Sequence, residues 1–250
     1  MENIKHNLKD FYNQEAEKYY NSRQKHRNDW NIILNEIKKS WKKEISILEF
    51  GCWWGRFIKF LNENLKWIKI KYIWIDLSEK LLDFAKKDNP KCKFVCEDIS
   101  KFITNEKQES YDYIVGIACF QHIYSPKERK FLIKHFYKIL NYWWKIIMTN
   151  WSLSERFIKK YTKPLLESIW KFIYSIWNHK WRDIMIPWKN WKNLHKRYYH
   201  IFSKKELEQL IKGWWFKINK LTYLDKNGHE TTKRKDSNNT IVIWEKQVFW

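Results

Sequence analysis

Glycine is nearly absent from this chain. It has 5 glycines in 250 residues, with 4 prolines, 4 cysteines and 3 methionines, where ordinary usage supplies about 7% glycine. Collagen-like and low-complexity classes are excluded on that ground. The cysteines (Cys52, Cys92, Cys96, Cys119) form no C-x-x-C pair, which argues against a zinc ribbon or a redox motif. Cys92 and Cys96 fall in one apparent strand and read as reduced residues, so no metal is expected. Long apolar runs are missing too. The amino-terminal "MENIKHNLKDFYNQ" is polar and suggests neither a signal peptide nor an anchor. The most apolar stretch, "PLLESIWKFIYSIW" (164–177), carries Glu167 and Lys171 and is too short to span a bilayer. A cytoplasmic protein with no membrane partner is expected.

Tryptophan stands where glycine is missing. There are 18 of them, and several occupy glycine contexts. "NYWWKII" (141–147) lies between a helix and an apolar strand, where a turn belongs. "YIWID" (72–76), "KGWWFKI" (212–218) and "IVIWEK" (241–246) behave alike. We read many of these residues as UGA codons, translated as tryptophan but decoded as glycine by the cell's own transfer RNA. A bulky residue at a turn needing positive φ is otherwise a steric outlier. Trp30, Trp151 and Trp188 are outside such contexts.

Acidic residues are also in deficit. Lys and Arg number 49 against 28 Asp and Glu, a net charge of +21. Such a charge invites a polyanion. Yet 41 of the 49 are lysine, and with abundant Ile and Asn that composition also follows from an AT-rich gene. Distribution is more informative than the total. From Arg156 to Lys205 there are thirteen basic residues and two acids, Glu167 and Asp183, interleaved with Trp, Tyr and His.

Apolar β-rich runs at 45–50, 70–76, 93–96, 111–117 and 145–151 alternate with helical patterns at 56–65, 79–87 and 126–140. That rhythm predicts a parallel sheet covered on both faces. Ser125, Pro126 and Glu128 give the 126–140 helix a capping-box start. A helix at 203–212 and runs at 216–224 and 239–246 predict a closing antiparallel hairpin. The expected fold is therefore α/β: a Rossmann-like, seven-stranded, mostly parallel sheet with an antiparallel C-terminal hairpin. Residues 1–250 are expected to form one domain. Its parts would be a helical cap (8–40), a cofactor-binding core (41–151), a basic substrate-side insert (152–200) and a closing helix and hairpin (201–250).

"ILEFGCWWGRF" (47–57) has the layout of a strand, a tight loop and a helix N-terminus that holds a nucleotide-like ligand. With glycine restored it reads E-F-G-C-G-x-G-R. Asp76 ends the next strand 25 residues after Gly51, and Asp98 follows in "CEDIS". This layout resembles the class I S-adenosylmethionine-dependent methyltransferases. The resemblance implies S-adenosyl-L-methionine as cofactor, held by Glu49, Gly51, Cys52, Trp53, Gly55, Asp76, Leu77, Asp98 and Ile99. Asp76 would accept the ribose hydroxyls, and Asp98 would lie beside the adenine. A nicotinamide dehydrogenase shares the loop type but leaves Glu49 unexplained, and no hydride-transfer constellation follows.

"DFYNQEAEKYYNSRQKHRNDW" (10–30), "RDIMIPW" (182–188) and "RYYHIFSKKEL" (197–207) narrow the resemblance. They are similar to blocks of the methyltransferases that esterify carboxymethyluridine at the tRNA wobble position. Tyr12 and Arg23 join the cofactor set on that basis. The resemblance implies tRNA as a partner and leaves a small activating partner protein open. The acceptor would be a carboxylate, ionised at neutral pH, so alignment matters more than a base. Arg197 or Arg182 is the candidate to hold it, with His122 at the mouth of the site as a base or a packing residue. Trp151, Trp188, Tyr198, Tyr199, His200, Lys189, Lys192 and Lys196 are the candidate substrate contacts. "RYYHIF" reads equally well as a strand-to-helix corner with buried aromatics. Two other functions stay open, a small-molecule methyltransferase and a non-catalytic RNA-binding module.

The decoding reading makes a direct prediction. Trp53, Trp74, Trp143, Trp144, Trp215 and Trp244 should be UGA in the gene, and Trp151 and Trp188 should be UGG. Sequencing the codons checks it, and UGG at 53 and 74 would end the idea.

Overall fold

The computed structural model describes residues 2–175, 180–189 and 194–248. Three helices come first, α1 (Glu2–Gln14), α2 (Ala16–Ser22) and α3 (Trp30–Lys38). Then strands and helices alternate: β1 (Glu44–Phe50), α4 (Arg56–Asn64), β2 (Lys69–Asp76), α5 (Glu79–Asp88), β3 (Lys93–Cys96), α6 (Ile99–Phe102), β4 (Tyr111–Ile117), α7 (Pro126–Ile139) and β5 (Leu140–Trp151). The insert contains α8 (Glu155–Lys160), α9 (Thr162–Tyr174), β6 (Asp183–Lys189) and β7 (Leu194–His200). The chain closes with α10 (Lys204–Leu210), β8 (Phe216–Leu224), β9 (Glu230–Thr231) and β10 (Asn239–Lys246).

The main sheet runs β3-β2-β1-β4-β5-β10-β8-β9. Strands β1 to β5 pair in parallel, and β10 is antiparallel to both β5 and β8. The expected seven strands gain an eighth, the two-residue β9, at the edge. Strand parity explains the covering on both faces. Tyr113, level with Ile47, sends its hydroxyl toward Glu36 of α3. Phe50, of opposite parity on β1, packs on Phe136 of α7 with ring centroids 5.2 Å apart. Every residue of β4 is buried, as a strand covered on both sides requires. Strand order reverses between β1 and β4, and ligands bind at such a switch point, outside the carboxyl ends of the strands.

Local chemistry sets the helix starts. Ser78 caps α5 and Ser154 caps α8. Ser203 and Glu206 form a full capping box on α10. The box expected at α7 does not form. Pro126 opens the helix as expected, but Ser125 makes no side-chain cap bond, and Glu128 turns to Lys5 and Ser100 instead. Strand β5 starts at Leu140, five residues before the expected 145. Tyr111 pairs with Leu140 and Tyr113 with Lys145, so four residues bulge out between them. Trp143 sits in that bulge at φ 70°, the glycine-type turn read from "NYWWKII".

The insert has its own small core of Leu153, Phe157, Leu165, Ile184, Ile186, Tyr199 and Ile201. Its two strands pair antiparallel, Asp183 with His200 through Lys189 with Leu194. Among the described residues no helix is long and apolar enough to cross a membrane.

Candidate active site

The carboxyl ends of β1, β2 and β4 open into a cleft of about 670 Å³, counted out to its mouth. Gly51, Trp53, Asp76, Leu77, Asp98 and Ile99 line it. Gly51 (φ 66°) and Gly55 (φ 73°) take the left-handed backbone of a tight loop. A Cβ on Gly51 would lie 2.5 Å from that of Cys119, so the loop and the end of β4 approach too closely for any side chain. Glu49 and Cys52 lie beneath the loop, both buried. The Tyr72 hydroxyl donates to Glu49 over 3.0 Å. Burial, set against that bond, pushes the Glu49 carboxyl up to about 8.

Asp76 ties two loops together. One oxygen accepts the Trp53 N–H and the other the Ser78 N–H, each over 2.9 Å. Burial nonetheless pushes its carboxyl up to about 6. With the Leu77 N–H also close, the carboxylate still keeps room for a further donor. Asp98 caps α6 through the Ser100 N–H and faces Lys5 over 2.8 Å. Lys5, Leu8 and Tyr12 recur along one face of α1 and roof the cleft. Only Tyr12 of these three was marked from sequence. The i, i+3, i+7 spacing is the signal that could have found the others.

Trp53 is the misfit. It has φ 57°, a conformation that strains a bulky residue, and its side chain lines the cleft. Trp74 fills the space beside the loop. A Cβ on Gly55 would lie 2.8 Å from its ring, and Phe94 stands 4.0 Å away between centroids. The buried indoles of Trp54 and Trp244 have N–H groups with no acceptor among the described residues, which is unusual for tryptophan. Trp30, outside any glycine context, shares that last feature.

Behind the roof lies Arg197. It is 4% exposed, and no carboxylate among the described residues lies within ion-pair distance. One N–H donates to the Tyr19 hydroxyl over 2.9 Å, the Tyr199 and Tyr12 phenols are its further neighbours, and its Nε has no partner. The rings of Phe11, Trp188 and Tyr199 stand 4.7, 5.0 and 5.3 Å from the guanidinium. His122 lines the cleft close by. Its Nδ1 donates to the Tyr198 carbonyl over 2.8 Å, which leaves Nε2 as an acceptor facing the Tyr12 hydroxyl at 3.5 Å. Burial pushes the His122 imidazole down to about 3, so it is neutral.

The remaining candidates lie around this centre. Tyr199 stacks on Trp151 at 4.6 Å and meets His122 at 4.4 Å. Trp188 donates from its indole to Glu15 over 3.1 Å. Arg23 lies 3.7 Å over the Tyr19 ring, outside the cleft. Tyr198 and His200 are committed elsewhere. Both engage Asp183, over 2.7 and 2.5 Å, in a buried network that includes Arg129. Arg182 points away from the cleft, donating to the Ile201 carbonyl and lying 3.9 Å from Glu206. Lys196 is exposed on β7, Lys189 ends β6, and Lys192 falls outside the described residues. Tyr19, Phe11 and Glu15 were not marked from sequence. Their roles arise only when α1 and α2 meet β7.

Known proteins agree with this geometry. The family described as "Methyltransferase domain" matches residues 47–142. That segment, from within β1 to the start of β5, is thus similar to a methyltransferase domain. A curated relative, malonyl-[acyl-carrier protein] O-methyltransferase of Paenibacillus sp. (strain JDR-2), is 25% identical over 109 residues, spanning 42% of this chain and 39% of the relative. The chain thus matches well under half the length of that relative. Among solved structures, a S-adenosylmethionine-dependent methyltransferase of Methanosarcina mazei is similar at TM-score 0.64 and 18% identity, over 86% of this chain and 98% of that one. The magnesium protoporphyrin IX methyltransferase of Synechocystis PCC 6803, with bound S-adenosylhomocysteine, gives 0.62 and 12% over 98% and 100%. The complex between the Haloferax volcanii Trm112 methyltransferase activator and a methyltransferase gives 0.65 and 11% over 97% and 98%.

The cleft residues fit S-adenosyl-L-methionine, the ligand for which the similar Methanosarcina mazei structure is named, with one exception. The glycine turn, Asp76 at the end of β2 and the apolar walls Ile75, Leu77 and Ile99 suit a nucleoside. The Trp53 indole occupies the loop where the ligand must lie close. Three outcomes are expected. Trp53→Gly should tighten cofactor binding at least about tenfold, measured by calorimetry. In that variant affinity should fall as pH drops through about 6, because a protonated Asp76 donates where a ribose hydroxyl needs an acceptor. Asp76→Ala should cost roughly 2–4 kcal/mol and flatten the pH dependence.

Proposed function

We propose that the protein transfers a methyl group from S-adenosylmethionine to a carboxylate, that of a carboxymethylated wobble uridine in tRNA. Arg197 carries the proposal. A buried guanidinium without a carboxylate partner is costly, because its desolvation is not repaid by an ion pair. Beside a methyl-transfer cleft, an anionic acceptor completes it. Two parallel N–H···O bonds from arginine would fix the carboxylate plane. The acceptor is already ionised, so positioning supplies the rate. His122 fits that chemistry, since its neutral ring orients the Tyr12 hydroxyl without adding a second cation. Bound S-adenosylmethionine supplies an electrophilic methyl on a sulfonium.

The choice of RNA rests on the sequence blocks at 10–30, 182–188 and 197–207 and on the basic insert. The Trm112 complex among the similar structures supports assaying the protein with and without a small activating partner. A second reading has its own support. The curated relative is named for O-methylation of a malonyl group on a carrier protein, so a carboxylate on a small molecule or carrier would use Arg197 equally.

Labelled cofactor separates these cases. Alkali-labile label in total tRNA is the expected result. Alkali-stable label would keep RNA and reject the carboxylate, and label only in small molecules would move the substrate to the second reading. Arg197→Gln should lower kcat about 10- to 100-fold, the loss of one or two charge-assisted hydrogen bonds, with cofactor affinity retained as the sign of an intact fold.

A further inference from the structure

A second concavity lies outside the cleft, between α8 and the segment 225–238. Arg156, Lys159 and Lys160 stand on one wall and Lys226 and Lys235 on the other. The walls are held in place. The Ser152 and Ser237 hydroxyls share a hydrogen bond of 2.6 Å, and the Ser152 N–H donates to the Asn238 carbonyl over 3.3 Å. Three acids line the same groove, but two are already occupied. Glu155 pairs with Lys159 over 2.6 Å. Asp225 accepts the Asn227 and His229 N–H groups over 2.8 and 2.9 Å. Among the described residues no carboxylate lies within ion-pair distance of Arg156, Lys160, Lys226 or Lys235, although Glu155 feels the Lys235 charge. Four unpaired cations on a fixed groove make a track for a chain of anions.

The groove leads somewhere. It shares Arg156, Lys160 and Asn238 with a smaller recess floored by Trp151, Phe157 and Tyr161. The rings of Trp151 and Tyr161 are nearly parallel, at 17°. Trp151 stacks in turn on Tyr199, the neighbour of both His122 and Arg197. A basic track that ends on aromatic faces is the construction that binds single-stranded nucleic acid, with phosphates on cations and bases on rings. We infer that this groove carries the phosphates of an RNA strand, and that Trp151 with Tyr161 receives an unpaired base next to the acceptor nucleotide. The inference rests on the RNA reading above and adds its route. Half of the track comes from outside the basic insert, Lys226 from the turn between β8 and β9 and Lys235 from the segment between β9 and β10.

The test uses the full chain, total tRNA, and free carboxymethyluridine as an acceptor without phosphates. The double variant Lys226→Gln, Lys235→Gln removes two phosphate contacts far from the cofactor. Its log–log dependence of tRNA affinity on salt should be shallower by about 1.4 to 1.8, at roughly 0.7 to 0.9 per contact. Cofactor affinity and methyl transfer to the free nucleoside should stay at the wild-type level. Trp151→Ala should weaken tRNA binding without changing that slope. An unchanged slope and affinity in the double variant, with tRNA still methylated, would overturn the groove alone. Wild-type protein that neither binds nor methylates tRNA would overturn the RNA reading and the groove with it.

Discussion

The buried charge of Arg197 is the constraint around which the substrate half of the molecule is arranged. A guanidinium cannot shed its proton to escape burial, so its surroundings must tolerate a cation. Here that is done with phenols and ring faces, not with a carboxylate. Tyr12 and Tyr19 approach its N–H groups, while Phe11, Trp188 and Tyr199 present π-systems within about 5 Å. Those residues come from α1, α2, β6 and β7. Meeting one cation therefore docks the helical cap onto the hairpin of the insert, and the two together close over the carboxyl ends of the sheet. A carboxylate in place of either tyrosine would stabilise the free protein more and leave nothing for an anionic substrate to complete.

The cleft beneath the glycine loop depends instead on a carboxylate. Asp76 bonds to the backbone of the loop after β1 and of the loop after β2 at once, so the two edges of the cleft move together. Burial makes its charge expensive, and a ligand offering hydroxyl donors lowers that cost. The same loop contains Trp53 in a left-handed conformation. Its ring packs on Tyr19, Trp54 and Arg56, but it does so within the cleft, which it narrows. Trp143 adopts the same backbone in the bulge of β5. Both are positions where the chain path, set by the elements on either side, demands φ that only glycine accepts freely.

Local and periodic signals carried the sequence reading a long way. The alternation of β1 to β5 with helices, Pro126 at the start of α7, and the acids at 76 and 98 are all properties of short windows. The α10 start, Ser203 with Glu206, is equally local. What was hidden depends on pairs distant in the chain. Lys5 faces Asp98 and Glu128, and no window contains all three. For the same reason the lost capping box at α7 was not visible, since Glu128 is drawn off by a lysine 123 residues away. "RYYHIF" was undecided from sequence because a buried strand and a stacking platform use the same residues. The fold divides them: Tyr198 and His200 turn to Asp183, Tyr199 faces Trp151 and His122, and Arg197 is left without an acid.

The state of His122 then bears on which acceptors the site can serve. An alcohol or amine must lose a proton during methyl transfer, and a base near neutrality would be needed to take it. His122 is the imidazole that lines the cleft, yet burial holds it near 3, with the Arg197 charge as a smaller contribution in the same direction. Its Nδ1 proton is fixed on the Tyr198 carbonyl, so only Nε2 can accept. A base that weak takes a proton poorly from a hydroxyl. The guanidinium that depresses it would, by the same field, favour an ionised acceptor over a neutral one. A cation buried beside a neutral histidine thus suits the proposed acceptor, one that arrives already deprotonated.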